Sequence, residues 1–257
     1  MSQTDKAKHF HALHRRDDPL VLYNIWDAAG AKTIAKAGAP AVATGSWSVA
    51  AAHGFDDGQA IPLDLVLTIV SRICASVDLP VSVDFEGGYA IAPKDVAENV
   101  RRVIRAGAIG INFEDRVVNG TGLHPISEQA ERIAAIRTMA NEEGVPIFIN
   151  ARTDLFLGTD PGIHEGQISE ALEREAAYAD AGASGFFVPG LTDLGLLSKI
   201  TTAASLPVNA MMLGDLASVD DCKGCNVSRF SFGPAPFARA MLDLQTRFSK
   251  ISGSGSH

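Results

Sequence analysis

A chain of 257 residues with 46% hydrophobic content is long enough to bury one large core. A formal charge of −8 and a pI near 5.3, without a dense basic run anywhere, exclude a nucleic-acid surface as the working part of the molecule. There is no apolar run of the roughly 18 residues a membrane span needs. The opening Met1-Ser-Gln-Thr-Asp-Lys6 lacks the apolar stretch of a signal peptide, so a soluble, cytoplasmic protein is expected.

Strands and helices alternate along the chain. Residues 19–24 read as a first strand opened by Pro19, and 28–37 as a helix that Gly38 ends before a second strand reaching Thr44. A helix at 63–76 precedes Pro80 and the strand 80–84. Pro93 suits the first turn of a helix at 93–106, and Gly107 leads into a strand reaching Asn112. The pattern repeats with a helix at 127–143, a strand at 146–150, a helix at 164–181, and a strand after Gly182 that runs to Val188. A weaker helix at 194–203, strands at 207–209 and 223–231, and a helix at 236–250 complete the series. Proline stops each preceding helix and needs no ladder donor at a strand's first residue, while glycine supplies the left-handed cap that ends the others. Eight strands alternating with helices imply a parallel sheet with right-handed crossovers, which closes most simply into a (β/α)8 TIM-type barrel. An open doubly wound sheet is the alternative, but no glycine fingerprint follows the first strand. Residues 1–250 are expected to form one barrel domain, with 251–257 a linker or tag remnant.

Charge is delivered to the strand ends. In Val81-Ser-Val-Asp84-Phe-Glu86-Gly-Gly-Tyr89 the two acids stand two apart and leave the strand on one side, a spacing suited to a hard divalent cation. A solvated strand terminus carrying two surface acids is the other reading. The run from Ala108 ends in Glu114-Asp115, and the run from Val145 ends in Asn150-Ala-Arg152-Thr-Asp154. In a barrel the loops after the strands form the active face, so Asn24, Thr44 to Trp47, Asp84, Glu86, Glu114, Asn150, Arg152 and Asn209 are expected at one mouth. Cys74, Cys222 and Cys225 form no disulfide framework, and Cys222-Lys-Gly-Cys225 has no second pair to complete a zinc site. His9, His11 and His14 read as a solvated helix face.

Tyr23-Asn24 with Trp26-Asp27-Ala28-Ala29, Thr44-Gly-Ser-Trp-Ser48 leading to Gly54-Phe-Asp-Asp57, Asp84-Phe-Glu-Gly-Gly-Tyr89, Glu114-Asp115 and Ala151-Arg152 stand in the order found in the isocitrate lyase and phosphoenolpyruvate mutase superfamily, which the chain resembles over roughly residues 20–240. The resemblance implies a Mg2+ ion, or Mn2+ in its place, with Asp84 as direct ligand and Glu86 and Glu114 on metal-bound waters. It implies that Gly45, Ser46 and Trp47 bind a substrate carboxylate, that Arg152 clamps the anion, and that Asp57 lies near the reacting group. Tyr23, Asn150 and Asn209 complete the substrate-facing set. Lyases of the superfamily carry a loop cysteine that protonates the product carbanion; here the loop reads Arg116-Val-Val-Asn-Gly-Thr-Gly-Leu-His124-Pro125, without cysteine. His124 is then the catalytic candidate, set against its reading as an ordinary loop residue. His53, on a short helix after Trp47, is a weaker one. The implied activity is a carbon–carbon lyase or decarboxylase acting on a small 2-oxo or 2-hydroxy dicarboxylate through an enolate. Carbon–phosphorus chemistry on phosphonopyruvate, or 2-oxo-acid binding without turnover, are the alternatives. A homodimer or homotetramer that exchanges the C-terminal helix is also implied; its stripe of Phe237, Ala240, Met241 and Leu244 fits a partner or its own barrel.

Overall fold

A computed structural model describes residues 1–252 apart from positions 215, 217 and 223; the expected linker or tag at 253–257 lies outside the described residues. Helix α1 (Gln3–Ala12) starts on a capping box, with Ser2 accepting from the Asp5 amide and Asp5 accepting from the Ser2 amide. Eight parallel strands follow: β1 (Leu20–Leu22), β2 (Val42–Ala43), β3 (Val81–Asp84), β4 (Gly110–Glu114), β5 (Phe148–Arg152), β6 (Gly185–Phe187), β7 (Val208–Met211) and β8 (Arg229–Ser231). Their order is β1-β8-β7-β6-β5-β4-β3-β2. The two ends meet where Ile25 bridges Thr44, its amide donating to Ala43 O at 2.9 Å and its carbonyl accepting from the Gly45 amide at 3.2 Å. The sheet is thereby a nearly closed (β/α)8 barrel.

The outer helices are α2 (Ala28–Lys36), α3 (Ser46–Ala52), α4 (Leu63–Ser76), α5 (Pro93–Arg105), α6 (Ile126–Glu143), α7 (His164–Asp180), α8 (Leu194–Ala203) and α9 (Ala235–Ser252). Helical periodicity decides what each buries: α5 turns Val96, Val100, Val103 and Ile104 inward and leaves its charges outside. The glycine stops act as expected. Gly107 ends α5 at φ +106°, and a Cβ there would lie 2.9 Å from the Cβ of Cys74. No disulfide joins Cys74, Cys222 or Cys225 among the described residues. Helix α9 continues through Ser252, two residues beyond the expected domain end. Among the described residues no helix is long and apolar enough to cross a membrane.

Helix α1 plugs the end of the barrel opposite the mouth. Phe10 is fully buried and meets the Phe148 ring edge-on at 5.4 Å, and His14 stacks on the same ring at 4.0 Å. Only His9 fits the solvated-face expectation. The His11 ring nitrogen Nε2 bonds Pro146 O at 3.1 Å, and burial, helped by nearby Arg229, pushes the His14 pKa down to about 3. Apolar α1 residues outweigh the histidines in setting which face turns inward.

Candidate active site

Inward positions along the strands divide the barrel interior into levels. Above Phe10 and Phe148 lies a polar layer: Asn150 Nδ2 donates to Asn112 Oδ1 at 2.9 Å, Arg229 Nη2 donates to the same oxygen at 3.1 Å, and Asn209 Nδ2 donates to Ser231 Oγ at 3.1 Å. Above that layer, at the C-terminal ends of the strands, the acids collect. Asn112 joins the two levels by donating through Nδ2 to Asp84 Oδ1 at 3.4 Å.

Asp84 is held from several sides. Its amide donates to Thr44 Oγ1 at 3.0 Å, and its Oδ2 accepts from both the amide (3.0 Å) and the hydroxyl (2.9 Å) of Ser46, at the N-terminus of α3. Glu86 sits in the left-handed region at φ +50°, 6% exposed, with Oε1 accepting from the Gly58 and Gln59 amides at 2.9 Å each and Oε2 from the Tyr89 hydroxyl at 3.2 Å. Burial pushes its pKa up to about 7, against those amides and with help from Asp84 and Asp57. Glu114 is 5% exposed and meets Arg152 Nη1 at 3.0 Å; burial and the surrounding acids outweigh that pairing, so its pKa is raised. Asp57 is likewise raised by burial and by Asp84. Arg152 also grips Asp154, through Nε at 2.6 Å and Nη2 at 2.9 Å. Burial opposes its charge, yet Glu114 and Asp154 hold its pKa above the ordinary value.

Two cavities open at this mouth and share Ser46, Asp57 and Arg152. One, of about 430 Å³, is polar and bounded by Glu86, Glu114 and Arg116. The other, of about 400 Å³, is walled by Leu157, Phe187, Pro189, Met211 and Leu213.

The structure brings together Asp57, Asp84, Glu86, Glu114, Arg152, Gly45, Ser46 and Trp47, all of which line one cavity or the other. Ser46 lines both cavities, with its amide and its hydroxyl engaged by Asp84. Tyr23, Asn150, Asn209 and His124, and the weaker candidate His53, line neither cavity. Tyr23, just past β1, points outward against Phe232, because strand alternation sends Asn24 inward in its place. Asn24 does line the second cavity, with its side chain donating to Thr44 O and accepting from the Phe232 and Gly233 amides. Asn150 and Asn209 belong to the polar layer beneath the mouth, since their strands extend beyond them to Arg152 and Met211. His124 is 6% exposed and ties down its loop, its amide donating to Asp115 O at 2.7 Å and its carbonyl accepting from Arg174 at 3.0 Å. His53 is an exposed cap of α3 whose ring bonds Val49 O.

Three supporting residues are not apparent from the sequence. Arg132 on α6 is 2% exposed, lies 4.7 Å from the Phe113 ring centre, and donates to the carbonyls of Gly87 and Ala90, fixing the loop that carries Glu86. Asn112 and Arg229 form the layer under Asp84. Arg229 is fully buried, and burial lowers its pKa to about 9 against the pull of Asp84. A charge at an inward position of the short run Val227-Ser-Arg-Phe-Ser231 was the available signal.

The donor set has the chemistry of a hard-cation site. Asp57, Asp84, Glu86, Glu114 and Asp154 crowd together, and among the described residues only Arg152 forms an ion pair with any of them. No three of the described acids, histidines or cysteines converge closely enough to chelate an ion on their own. Magnesium retains several waters and takes one or two carboxylates, so this spacing fits it and does not fit a metal needing a closed ligand cage.

A family model described as phosphoenolpyruvate phosphomutase matches residues 10–252. The 2-methylisocitrate lyase of Escherichia coli (strain K12) is 32% identical over 216 residues, covering 82% of this chain and 71% of that protein. A crystal structure from Burkholderia cenocepacia J2315, provisionally assigned as a phosphonomutase, superposes with a TM-score of 0.94 at 44% identity over 97% of this chain and 99% of that one. A 2,3-dimethylmalate lyase of the same superfamily superposes at 0.83 with 25% identity, over 98% and 88% of the two chains.

Proposed function

Because the chain belongs to the phosphoenolpyruvate phosphomutase family, within the phosphoenolpyruvate mutase/isocitrate lyase superfamily, we propose that it is a Mg2+-dependent carbon–carbon lyase or decarboxylase acting on a small 2-oxo or 2-hydroxy dicarboxylate through an enolate. One observation carries the reading: buried acids in excess of their cations, gathered at the strand ends beside a guanidinium and a cavity. Asp84, oriented by Ser46, Thr44 and Asn112, would be the direct ligand, and Glu86 and Glu114 would hold the ion through its waters. Bound Mg2+ supplies Lewis-acid withdrawal of charge from the substrate's carboxylate and 2-oxygen.

The chain's own groups do the rest. Arg152, permanently charged and reaching both cavities, binds the substrate anion and the oxyanion that develops from it. Asp57, raised above an ordinary carboxylate and shared by both cavities, accepts the 2-hydroxyl proton. The C2–C3 electron pair then moves onto C3 and into its carboxylate, C2 becomes a carbonyl, and the Asp57 proton returns to C3. The products are a 2-oxo acid and a shorter carboxylic acid. A single acid that takes and returns the proton removes the need for a loop cysteine, and His124, whose imidazole lies 3.6 Å from Glu128 and lines neither cavity, is given no part in it.

Carbon–phosphorus chemistry is the second reading, favoured by the 44% identity to the Burkholderia protein. Arg116 is the cation the polar cavity adds to Arg152 among the described residues, a sparse setting for a phosphonate. Incubation with Mg2+ and oxaloacetate, malate, alkylated malates, isocitrate and phosphonopyruvate tests both: release of a 2-oxo acid or carbon dioxide supports the lyase or decarboxylase, and release of phosphate alone replaces it.

The assembly is proposed to be a homodimer or homotetramer built through α9. Past Phe237 the helix leaves its own barrel, with Met241, Leu242, Leu244, Phe248 and Ile251 between 40% and 86% exposed.

A further inference from the structure

Asp57 lies in the connection between α3 and α4, where Gly54, Gly58 and Gln59 all have positive φ. Glycine enters that region freely. Gln59, at φ +62°, does so at a cost that its surroundings must offset. Those surroundings are the turn after β3. The Gly58 and Gln59 amides both donate to Glu86 Oε1 at 2.9 Å. In the opposite direction the Gln59 carboxamide, oriented so that its oxygen meets donors, accepts from the amides of Gly87 at 2.9 Å and of Gly88 and Tyr89 at 3.1 Å each. Among the described residues, these are the hydrogen bonds that tie residues 56–60 to another part of the chain.

The receiving turn is a firm anchor. Glu86, Gly88 and Tyr89 sit at φ +50°, +83° and +56°, and the three successive amides after Glu86 converge on one point, a concavity of the kind that binds anions. Here a neutral carboxamide oxygen fills it. With Asp84, Glu86 and Asp57 already close together, a carboxylate at position 59 would add a further negative charge, whereas the amide satisfies the same donors without one. Arg132 fixes the turn from behind through the carbonyls of Gly87 and Ala90. The Gly88 backbone is packed so closely that a Cβ would lie 2.9 Å from Val96 Cγ1. Without the Gln59 contact, Asp57 would ride on a segment with glycine on either side, and a proton acceptor displaced by an ångström loses much of its effect.

Resting on Asp57 as the proton acceptor of the reading above, we propose that Gln59 is the positioning residue of that acid. Its carboxamide docks the Asp57 segment onto the Glu86 turn, and the Gly58 and Gln59 amides hold Glu86 in return. One reciprocal clamp thus sets the proton acceptor against the acid that would hold the ion through its waters.

The test uses the full chain in three variants. Gln59→Met has nearly the same length and no comparable acceptor; Gln59→Asn tolerates the left-handed region but is a methylene short; Gln59→Glu keeps an acceptor that reaches. Hydrogen exchange of the metal-free protein at residues 58–59 and 87–89 is expected to quicken roughly tenfold in the Met and Asn variants and to stay near wild type in Gln59→Glu. With Mg2+ at pH 8 and the best diacid substrate, kcat is expected to fall about 10- to 100-fold in the Met and Asn variants, KM to stay within about threefold, and kcat to recover to within about fivefold in Gln59→Glu. Wild-type exchange and kcat in the Met and Asn variants overturn the proposal. Faster exchange with kcat unchanged does so too, by reducing the clamp to a structural tie, and a Gln59→Glu variant as impaired as Gln59→Met counts against the acceptor. If the wild type turns over no diacid, faster exchange in the same two variants still supports the docking of the Asp57 segment, and the lyase reading falls instead.

Discussion

Glu114 and Asp115 are neighbours in the chain, both almost completely buried, both beside an arginine, and they live in opposite circumstances. Asp115 turns out of the barrel into a closed network. Its Oδ2 accepts from Arg174 at 3.1 Å and the Tyr178 hydroxyl at 2.9 Å, and its Oδ1 from the Asp154 amide at 3.0 Å, while Arg174 also holds Glu170 and the His124 carbonyl. Glu114 turns inward, where Asp84, Glu86, Asp57 and Asp154 compete for Arg152. The first cluster is a structural lock; the second is short of positive charge and open to two cavities. An arginine beside an acid is thus uninformative until the surrounding charges are counted and the access is known.

That contrast can be broken most sharply at Asp84. Asp84→Ala is expected to reduce Mg2+-dependent turnover to background with the circular dichroism spectrum and melting temperature nearly unchanged; full activity in the variant removes the ligand assignment. The opposite profile is expected at the lock. Arg174→Met leaves Asp115 buried without its partner, at a cost of about 3–5 kcal/mol. Calorimetric melting should fall by roughly 6–20 °C, at about 2–4 °C per kcal/mol for a chain of this size. A shift under a degree would show Asp115 to be compensated by Tyr178 alone.

Arg152→Lys tests the site arginine. A point charge cannot reproduce two directed donors, so substrate affinity should weaken by roughly 10- to 100-fold, the loss of one charge-assisted hydrogen bond or more, with little change in melting temperature. Equal affinity in the variant would take Arg152 out of the anion site. The pH dependence is a smaller effect. The Glu86 pKa is about 7 in the folded chain, above its ordinary value of 4.5, so its contribution to stability is complete below about pH 4.5 and is lost as pH rises through 7. Metal-free protein should therefore lose about 3 kcal/mol between pH 5 and 8, and Mg2+ should remove that decline by binding the deprotonated site. A flat metal-free profile would place Glu86 in an ordinary environment. The smallest effect on chemistry is expected from Leu244→Asp with Phe248→Asp in α9, which should convert the oligomer to monomer in sedimentation velocity; an unchanged sedimentation coefficient excludes α9 as the interface.

The barrel was legible because its signals are local. Prolines at strand starts and glycines at helix ends mark nearly every boundary, and all eight expected strands form. The gathering of Asp84, Glu86, Glu114 and Arg152 followed from the rule that barrel strands end on one face. The misplacements arose from direction. Tyr23 stands one residue from the inward position, and Asn150 and Asn209 stand two residues below the level that reaches the cavities, differences of a few ångströms that strand-end polarity does not reveal. His124 stood out for its titration range, yet its loop folds it against Asp115 and Arg174, contacts distant in sequence. Arg132 was invisible for the same reason, since a buried helix arginine declares itself only through the carbonyls it meets, whereas Arg229 left one signal, a charge at an inward position of a short apolar strand.

Titration of the metal-free chain with Mg2+ by calorimetry at pH 8, wild type against Asp84→Ala, tests the central claim most directly. The account predicts one ion per chain in the wild type, bound more weakly at pH 6, and no measurable binding in the variant. Binding of equal strength in both proteins would contradict it.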